Sequence, residues 1–233
     1  MLVTIHQPEH LPWLGLLAKI KAADKWIILD SVNYRKNYFQ NRNRVAMAGR
    51  EIWLTVPVTA SSRTPIADVR IADQPGWRRR YLGRLGEAVG VKTARSPVFN
   101  PLTEAIIGAE TGDHLLDLNV SIAAWMLHAF GVETPRVLSS EIGAAGRKSD
   151  IILDLCVKVG ATSYLAGPSG RDYLDLASFR AANIDVRFFD FHHPSYATRS
   201  HAFVPGLSAV DAVANVESGR LAELLADYEL SEQ

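Results

Sequence analysis

The order of strand-like and helix-like segments constrains the fold of this chain more than any other feature of its sequence. Residues 2–6 and 25–29 are short apolar runs typical of strands, and apolar residues recur at helical spacing between them, over 12–23. Residues 149–191 repeat this alternation as helix, strand, helix and strand with short links. A helix that joins two such strands returns the chain to the same end of the sheet, which implies parallel pairing. The sequence therefore predicts an α/β fold with a mostly parallel sheet flanked by helices.

The middle of the chain is mainly helical. Apolar residues at helical spacing predict helices over 77–89, 102–107 and 115–130. We predict a single α/β domain over residues 1–233 and leave open whether residues 75–135 form a helical subdomain within it. The other predicted segments are strands over 51–58, 68–72 and 136–138, helices over 208–215 and 221–227, and a polar, basic connection over 33–50.

Charge and composition exclude several classes of protein. The chain has 25 basic and 25 acidic side chains, and this zero net charge argues against a polybasic nucleic-acid protein. No known nucleic-acid-binding motif is present, so we expect no sequence-specific nucleic-acid partner. The N-terminus does not have the pattern of a signal peptide, and no apolar stretch approaches the ~20 residues that span a bilayer. We therefore expect a cytoplasmic protein without a membrane partner. The single cysteine, Cys156, excludes an internal disulfide.

The segment between the first strand and the first helix contains His6, Gln7 and His10. It lies at the carboxyl end of a predicted strand, and open α/β sheets bind ligands at that edge. An imidazole in such a place can act as a general base. We therefore predict that His6 is catalytic and that Gln7 and His10 contact the substrate. The alternative is a proline-rich turn with one hydrogen-bonded histidine.

Residues 30–44 combine basic, amide and aromatic side chains, with no acid after Asp30. Guanidinium groups, amides and aromatic rings together suit a phosphate-bearing small molecule such as a nucleotide sugar. Asp30 ends a predicted strand and is assigned to the catalytic group, because its carboxylate could hold a ribose, an amine or a metal. The alternative is a solvated basic loop. The predicted substrate-binding residues of this run are Lys36, Asn41, Arg42, Asn43 and Arg44.

Three later segments add candidates. Lys148 precedes a predicted helix, whose free N–H groups favour phosphate. His193 follows a predicted strand and is a second candidate for the general base. Neither a metal site nor a particular cofactor is predicted. A glycine-containing loop follows another predicted strand, and its glycines would let the backbone approach a ligand closely, unless it is a plain tight turn. The candidate binding residues of that loop are Gly167, Ser169, Gly170 and Tyr173.

Several of these segments, in this order, resemble the WbqC-like family of bacterial proteins. The resemblance extends from residue 3 to about residue 215. It departs from the family pattern at His10, where the family usually has tyrosine, and at Asn215-Val216-Glu217, where the last helix ends differently. The most specific matching segments are Ile5-His6-Gln7-Pro8 with Leu11-Pro12-Trp13-Leu14-Gly15, and Asn41-Arg42-Asn43-Arg44; Asp30-Ser31-Val32 supports the match mainly by its place in the order.

The resemblance implies a part in surface-polysaccharide (O-antigen) biosynthesis, with transfer of a glycyl or other aminoacyl group to an amino sugar. Together with the residues above, it predicts a transferase that moves an aminoacyl or acyl group onto an amino sugar or related amine of surface-polysaccharide or secondary-metabolite biosynthesis. An acyl or aminoacyl carrier would then be a partner. Two alternatives stay open. One is an ATP-dependent adenylate-forming ligase or nucleotidyl transferase, and the other is a non-catalytic module that binds a carrier protein or tRNA.

Overall fold

The computed structural model describes residues 1–199 and 202–232. Its α-helices are α1 (Leu14–Lys21), α2 (Trp77–Val89), α3 (Val91–Ala94), α4 (Asn100–Gly108), α5 (Leu115–Ala129), α6 (Ser139–Ile142), α7 (Ser149–Lys158), α8 (Leu176–Ala181) and α9 (Val210–Asn215). Its strands are β1 (Leu2–His6), β2 (Lys25–Ile28), β3 (Arg42–Met47), β4 (Arg50–Thr55), β5 (Val58–Thr59), β6 (Arg70–Ile71), β7 (Arg136–Leu138), β8 (Ser163–Ala166), β9 (Asp185–Phe191) and β10 (Tyr228–Glu232).

Over the described residues the central sheet has six strands, in the order β10-β9-β8-β1-β2-β7. Strands β9, β8, β1, β2 and β7 pair in parallel, and β10 pairs with β9 in the antiparallel sense. The predicted α/β fold with a mostly parallel sheet is therefore confirmed. The carboxyl ends of the parallel strands lie at one edge, where open α/β sheets bind ligands.

Helices cover both faces of the sheet, because successive side chains of a strand point to opposite faces. Val3 and Ile5 of β1 pack into a cluster with α7 and α8, which includes Leu155 and Phe179. The other face packs against α1, in a cluster that also contains residues of α2, α4 and α5. The mainly helical middle is therefore present, and its apolar faces share one core with α1. No helix of the described chain is long and apolar enough to cross a membrane.

Two predictions of local structure are wrong. The polar connection predicted over 33–50 contains β3, which forms an antiparallel hairpin with β4. The inward-facing positions of this strand include Asn43, whose buried side chain donates to the carbonyls of His10 and Leu11. An amide in a core position conceals the apolar alternation that identifies a strand. The helix predicted over 221–227 is a 3₁₀ turn over Ser218–Leu225, and the strand β10 after it was not predicted.

Candidate functional site

A cleft of about 680 Å³ opens at the carboxyl edge of β1, β8 and β9. Its size suits a small-molecule ligand. Its lining comes from three parts of the chain: the turn after β1 with helix α1, the loop after β8 with the end of β9, and residues 35–44. Of the sequence-predicted residues, the cleft brings together His6, Gln7, Asn43, Arg44, Gly167, Ser169 and Tyr173.

The indole of Trp13 forms part of the cleft wall, and Gly15 makes room for it. A Cβ atom built on Gly15 would lie 2.2 Å from the Trp13 ring, so a larger residue cannot occupy this position without displacing the indole. On its other side the indole packs edge-on against Phe191, with ring centroids 5.8 Å apart. This ring contact joins the start of α1 to the end of β9 at the carboxyl edge of the sheet.

Three titratable side chains form a connected array in the cleft. The Nε2 atom of His6 lies 3.0 Å from Oε1 of Glu9, and its Nδ1 atom lies 3.3 Å from Nζ of Lys19. A carboxylate can only accept and an ammonium can only donate, so the imidazole carries its proton on Nε2. The second carboxylate oxygen of Glu9, Oε2, is buried and has no hydrogen-bond partner among the described residues.

Burial sets the protonation states of this array. Lys19 is 5 % exposed, and burial lowers the pKa of its ammonium to about 8, although the charge of Glu9 opposes the change. Burial lowers the pKa of His6 as well, the positive charge of Lys19 lowers it further, and the hydrogen bond to Glu9 raises it. About a third of the His6 side chain, 34 %, still faces the open cleft. At neutral pH the array therefore holds a neutral, accessible imidazole between a carboxylate and an ammonium.

Two arginine side chains add positive charge to the cleft lining. Arg35 is exposed, lies over the ring of Tyr38 at 4.6 Å and forms no ion pair with the described residues. Arg44 pairs with Glu51 at 2.7 Å and also donates to the carbonyl of Gly206. Arg35 is thus free to bind an anion, whereas Arg44 is held in place by its neighbours.

The loop after β8 borders the cleft on the side of Lys19. A Cβ built on Gly167 would lie 3.9 Å from Nζ of Lys19, an ordinary van der Waals separation, so this loop passes beside the amine. Gly170 is packed beneath the loop, where a Cβ would meet Ala166 and Leu174 at 3.0 Å. Gly167, Ser169 and Tyr173 therefore line the cleft, whereas Gly170 packs beneath the loop and does not line it.

The predicted catalytic role of Asp30 does not fit its surroundings. Its carboxylate is fully buried outside the cleft lining and accepts hydrogen bonds from the Ser139 hydroxyl at 2.7 Å and from the backbone N–H of Ser140 at 2.9 Å. The Ser140 hydroxyl donates to its other oxygen. These bonds join the end of β2 to the start of α6, so Asp30 has a structural function and no free oxygen turned toward a substrate.

His10 and Asn41 are likewise buried and do not line the cleft, so the prediction that they bind substrate does not fit the structure. The ring of His10 is bonded on both sides, to Asn119 at 3.0 Å and to the Tyr81 hydroxyl at 2.7 Å. Burial lowers its pKa to about 4. Asn41 bonds to the Tyr34 hydroxyl and to the carbonyl of Val56. Asn43 also holds backbone, as described above, although it reaches the cleft lining.

Four further candidates lie outside the cleft lining. Arg42 stacks on Trp53 at 4.1 Å and donates to the carbonyl of Asn37. Lys36 and Lys148 are exposed to solvent. His193 bonds to the carbonyl of Pro194 and packs against Phe203. A phosphate held by Lys36, Arg42 or Lys148, and a base at His193, are therefore not supported by where these side chains lie.

The sequence reasoning missed Lys19 and Glu9. Lys19 lies within Leu14–Ile20, a run that is otherwise free of charged residues, and every residue of that run is buried. A lysine inside such a run is the signal that could have identified it, because lysine is rarely buried without a partner. Glu9 stands three residues after His6, a spacing short enough for contact across a turn. No group of three or more His, Cys, Asp or Glu side chains with metal-site geometry occurs in the described parts of the chain.

Comparison with known proteins identifies the family to which this chain belongs. The uncharacterized protein Rv1507c of Mycobacterium tuberculosis (strain ATCC 25618 / H37Rv) is 28 % identical over 217 residues, which cover 92 % of this chain and 93 % of that protein. No solved structure matches the chain significantly. The family model of the WbqC-like protein family matches residues 7–222, which include Glu9, Lys19 and every residue of the cleft lining except Ile5 and His6. The chain therefore belongs to the WbqC-like protein family.

Proposed function

We propose that the cleft transfers an aminoacyl or acyl group onto the amine of a phosphate-bearing amino sugar or a related amine. The observation that supports this most directly is the array of Glu9, His6 and Lys19. Transfer to an amine needs a neutral base, since the ammonium form of the acceptor is not nucleophilic. It also needs positive charge where the carbonyl oxygen becomes an oxyanion. The array supplies both within one cleft.

His6 is the base in this proposal. Its contact with Lys19, at 3.3 Å, is the longer of its two and is the one that opens to admit the acceptor nitrogen at Nδ1. Glu9 remains bonded to Nε2 at 3.0 Å, where it orients the ring and stabilises the imidazolium that forms. The nearby ammonium of Lys19 contributes to the lowered pKa of His6, which keeps the ring neutral and ready to accept a proton.

Lys19 stabilises the transition state. The acceptor nitrogen forms a bond to the acyl carbon of an activated ester or thioester, and the tetrahedral oxyanion collapses with loss of the carrier sulfur or oxygen. The acceptor ammonium first loses one proton to solvent through His6, and the proton that the nitrogen loses after its attack passes through His6 to that leaving group. Lys19 Nζ lies next to the backbone of Gly167, and its ammonium faces the developing oxyanion from the side of this loop. In this low-dielectric setting a fixed ammonium is worth more than it is in water.

Arg35 is the proposed phosphate anchor, and the aromatic side chains around it offer stacking surfaces for the rest of the ligand. Tyr38 and Phe39 line the same side of the cleft, with ring centroids 5.2 Å apart. The combination fits a nucleotide sugar, whose phosphate pairs with the guanidinium. We place this reaction in cytoplasmic surface-polysaccharide or secondary-metabolite biosynthesis. The protein partner would be the acyl or aminoacyl carrier that delivers the transferred group.

Ligand-dependent stabilisation followed by a turnover assay tests this function. Nucleotide sugars, ATP, acyl-CoA and aminoacyl-tRNA are each added in excess, since a ligand at about 100 times its Kd raises the free energy of unfolding by about 2.7 kcal/mol. We expect a nucleotide amino sugar to raise Tm, and mass spectrometry to detect its acylated product when an activated donor is present. Stabilisation by ATP alone would support the adenylate-forming alternative instead. Salt-sensitive binding of tRNA or of a carrier, without turnover, would support the non-catalytic module.

Matched variants separate the site from the rest of the surface. His6→Gln should abolish turnover, whereas His128→Gln, at an exposed position of α5, should not change it. Arg35→Gln should weaken binding of the phosphate-bearing ligand at least 10-fold, and Arg63→Gln, which removes an exposed arginine outside the cleft lining, should leave it unchanged. Equal activity of His6→Gln and the wild-type protein would refute the assignment of the base.

A further inference from the structure

Lys19 has surroundings that the transfer reaction alone does not require. It is the only lysine among the described residues that line the cleft. Its amine is buried, lies 3.3 Å from a ring nitrogen of His6 and is bordered by the Gly167 backbone. An amine that adds to a carbonyl group needs a proton donor and acceptor within hydrogen-bond distance and a cavity large enough for the carbonyl compound. Both conditions are met here.

We propose that Lys19 Nζ forms an imine with a carbonyl compound that carries a phosphate or a carboxylate, and that His6 handles the protons of this reaction. The lone pair of Nζ forms the C–N bond, and one proton passes from nitrogen to the alkoxide through His6. A second proton, taken up by His6 from solvent, leaves with the hydroxyl group as water. The product is the positively charged imine, and neither oxidant nor reductant is consumed.

The charges around Lys19 favour this chemistry. Because burial lowers its pKa to about 8, the free-amine fraction at pH 7 is about 300-fold larger than for an exposed lysine. The charged and titratable groups that face the amine are His6 and Glu9, and Glu9 holds the ring that donates the proton. Arg35, which lines the same cleft, is available to pair with the anionic substituent of the carbonyl compound.

Reductive trapping on the intact protein tests the proposal. The probes are dihydroxyacetone phosphate and dihydroxyacetone, each with cyanoborohydride, and peptide mass spectrometry maps the reduced adduct. At pH 7 we expect Lys19 to be labelled about 300-fold faster than exposed lysines. Its labelling by dihydroxyacetone phosphate should be at least 10-fold faster than its labelling by dihydroxyacetone. Lys19→Arg should remove the adduct, while Lys21→Arg, at an exposed position of the same helix, should retain it. Arg35→Gln should remove the preference for phosphate, and Arg63→Gln should keep it.

Absence of an adduct at Lys19 in the folded wild-type protein, or labelling of exposed lysines at the same rate, would overturn the proposal. Mapping in the wild-type protein does not depend on whether a variant folds, and circular dichroism checks the variants. Trapping needs no acyl donor and should accelerate as the pH rises through about 8, where Lys19 loses its proton. Acyl transfer should slow over the same range, so the failure of one proposal is distinguishable from the failure of the other.

Discussion

Replacement of Lys19 by methionine tests whether a charged amine is buried in the cleft. Burial lowers the pKa of Lys19 from its ordinary 10.5 to about 8. At neutral pH the folded protein therefore holds the ammonium at a cost of about 3 kcal/mol relative to the unfolded chain. Methionine has a similar length and no charge, so Lys19→Met should raise the free energy of unfolding at pH 7 by up to about 3 kcal/mol.

The pH dependence of stability makes this prediction specific. Between pH 8 and 10.5 the unfolded chain keeps a proton on Lys19 that the folded protein has released. Wild-type stability should thus rise with pH across this window, by about 2 kcal/mol at pH 9.5, and fall back as the pH drops through about 8. Lys19→Met cannot show this rise, so its advantage over the wild-type protein should shrink from pH 7 to pH 9.5.

Urea unfolding at both pH values measures the difference. Burial raises the pKa of the Cys156 thiol to about 12, which lowers stability as the pH rises past the thiol's ordinary value, but this effect is common to both proteins and cancels in the comparison. Lys21→Met removes an exposed lysine of the same helix and should follow the wild-type curve. If the curves of Lys19→Met and the wild-type protein run parallel from pH 7 to 9.5, the ammonium is not buried and the reasoning fails.

Three other predictions follow from the same structure. In the proposed transfer, kcat/KM should fall on the acid side as His6 is protonated, at a pH below 6.5, and on the alkaline side through about pH 8 as Lys19 is deprotonated, which a pH–rate profile checks. Gly15→Ala should displace the Trp13 indole and destabilise the protein by about 1–3 kcal/mol with a change in tryptophan fluorescence, whereas Gly83→Ala, at an open position of α2, should be stabilising by about 0.5–1 kcal/mol. Asp30→Ala removes the acceptor of the buried Ser139 hydroxyl and of the two part-buried hydrogen bonds from Ser140, so it should lower the free energy of unfolding by about 2–4 kcal/mol, with ligand affinity in the cleft retained once the protein is folded.

The sequence predicts the sheet well because its signals are local. Strand β9 and helix α2 have the predicted bounds, 185–191 and 77–89, since apolar periodicity within a single segment determines each of them. β3 was missed although its partner β4 follows directly, because polar side chains conceal its apolar alternation, and β10 was missed because it pairs with β9, far earlier in the chain. Asn43 takes an inward position of β3 only because the carbonyls of His10 and Leu11 meet its amide there.

In the candidate site, too, some residues could be predicted from the local sequence and others depend on neighbouring elements. His6, Gln7 and Gly167 were predicted from their place at strand ends, and a strand end in a parallel sheet lies at the ligand-binding edge wherever the other elements fall. Asp30 occupies such an end too, but β7 brings Ser139 and Ser140 against it, and these hydroxyl groups occupy its carboxylate. Strand position thus predicts which residues are near the edge, and only the neighbouring elements determine which of them remain free.

The hydrogen bonding of the buried polar residues distinguishes those with a structural role from those of the cleft array, which is formed by Glu9, His6 and Lys19. Asp30 and His10 are buried with their hydrogen-bonding atoms matched by partners, an arrangement that stabilises a fold. The cleft array is different, because Lys19 retains an amine with a depressed pKa and Glu9 retains an oxygen without a partner among the described residues. An apolar side chain at position 19 would fit the buried face of α1 at lower cost. Side chains that lower stability and converge on an open cleft are characteristic of a site arranged for chemistry, and the Lys19→Met comparison measures that cost directly.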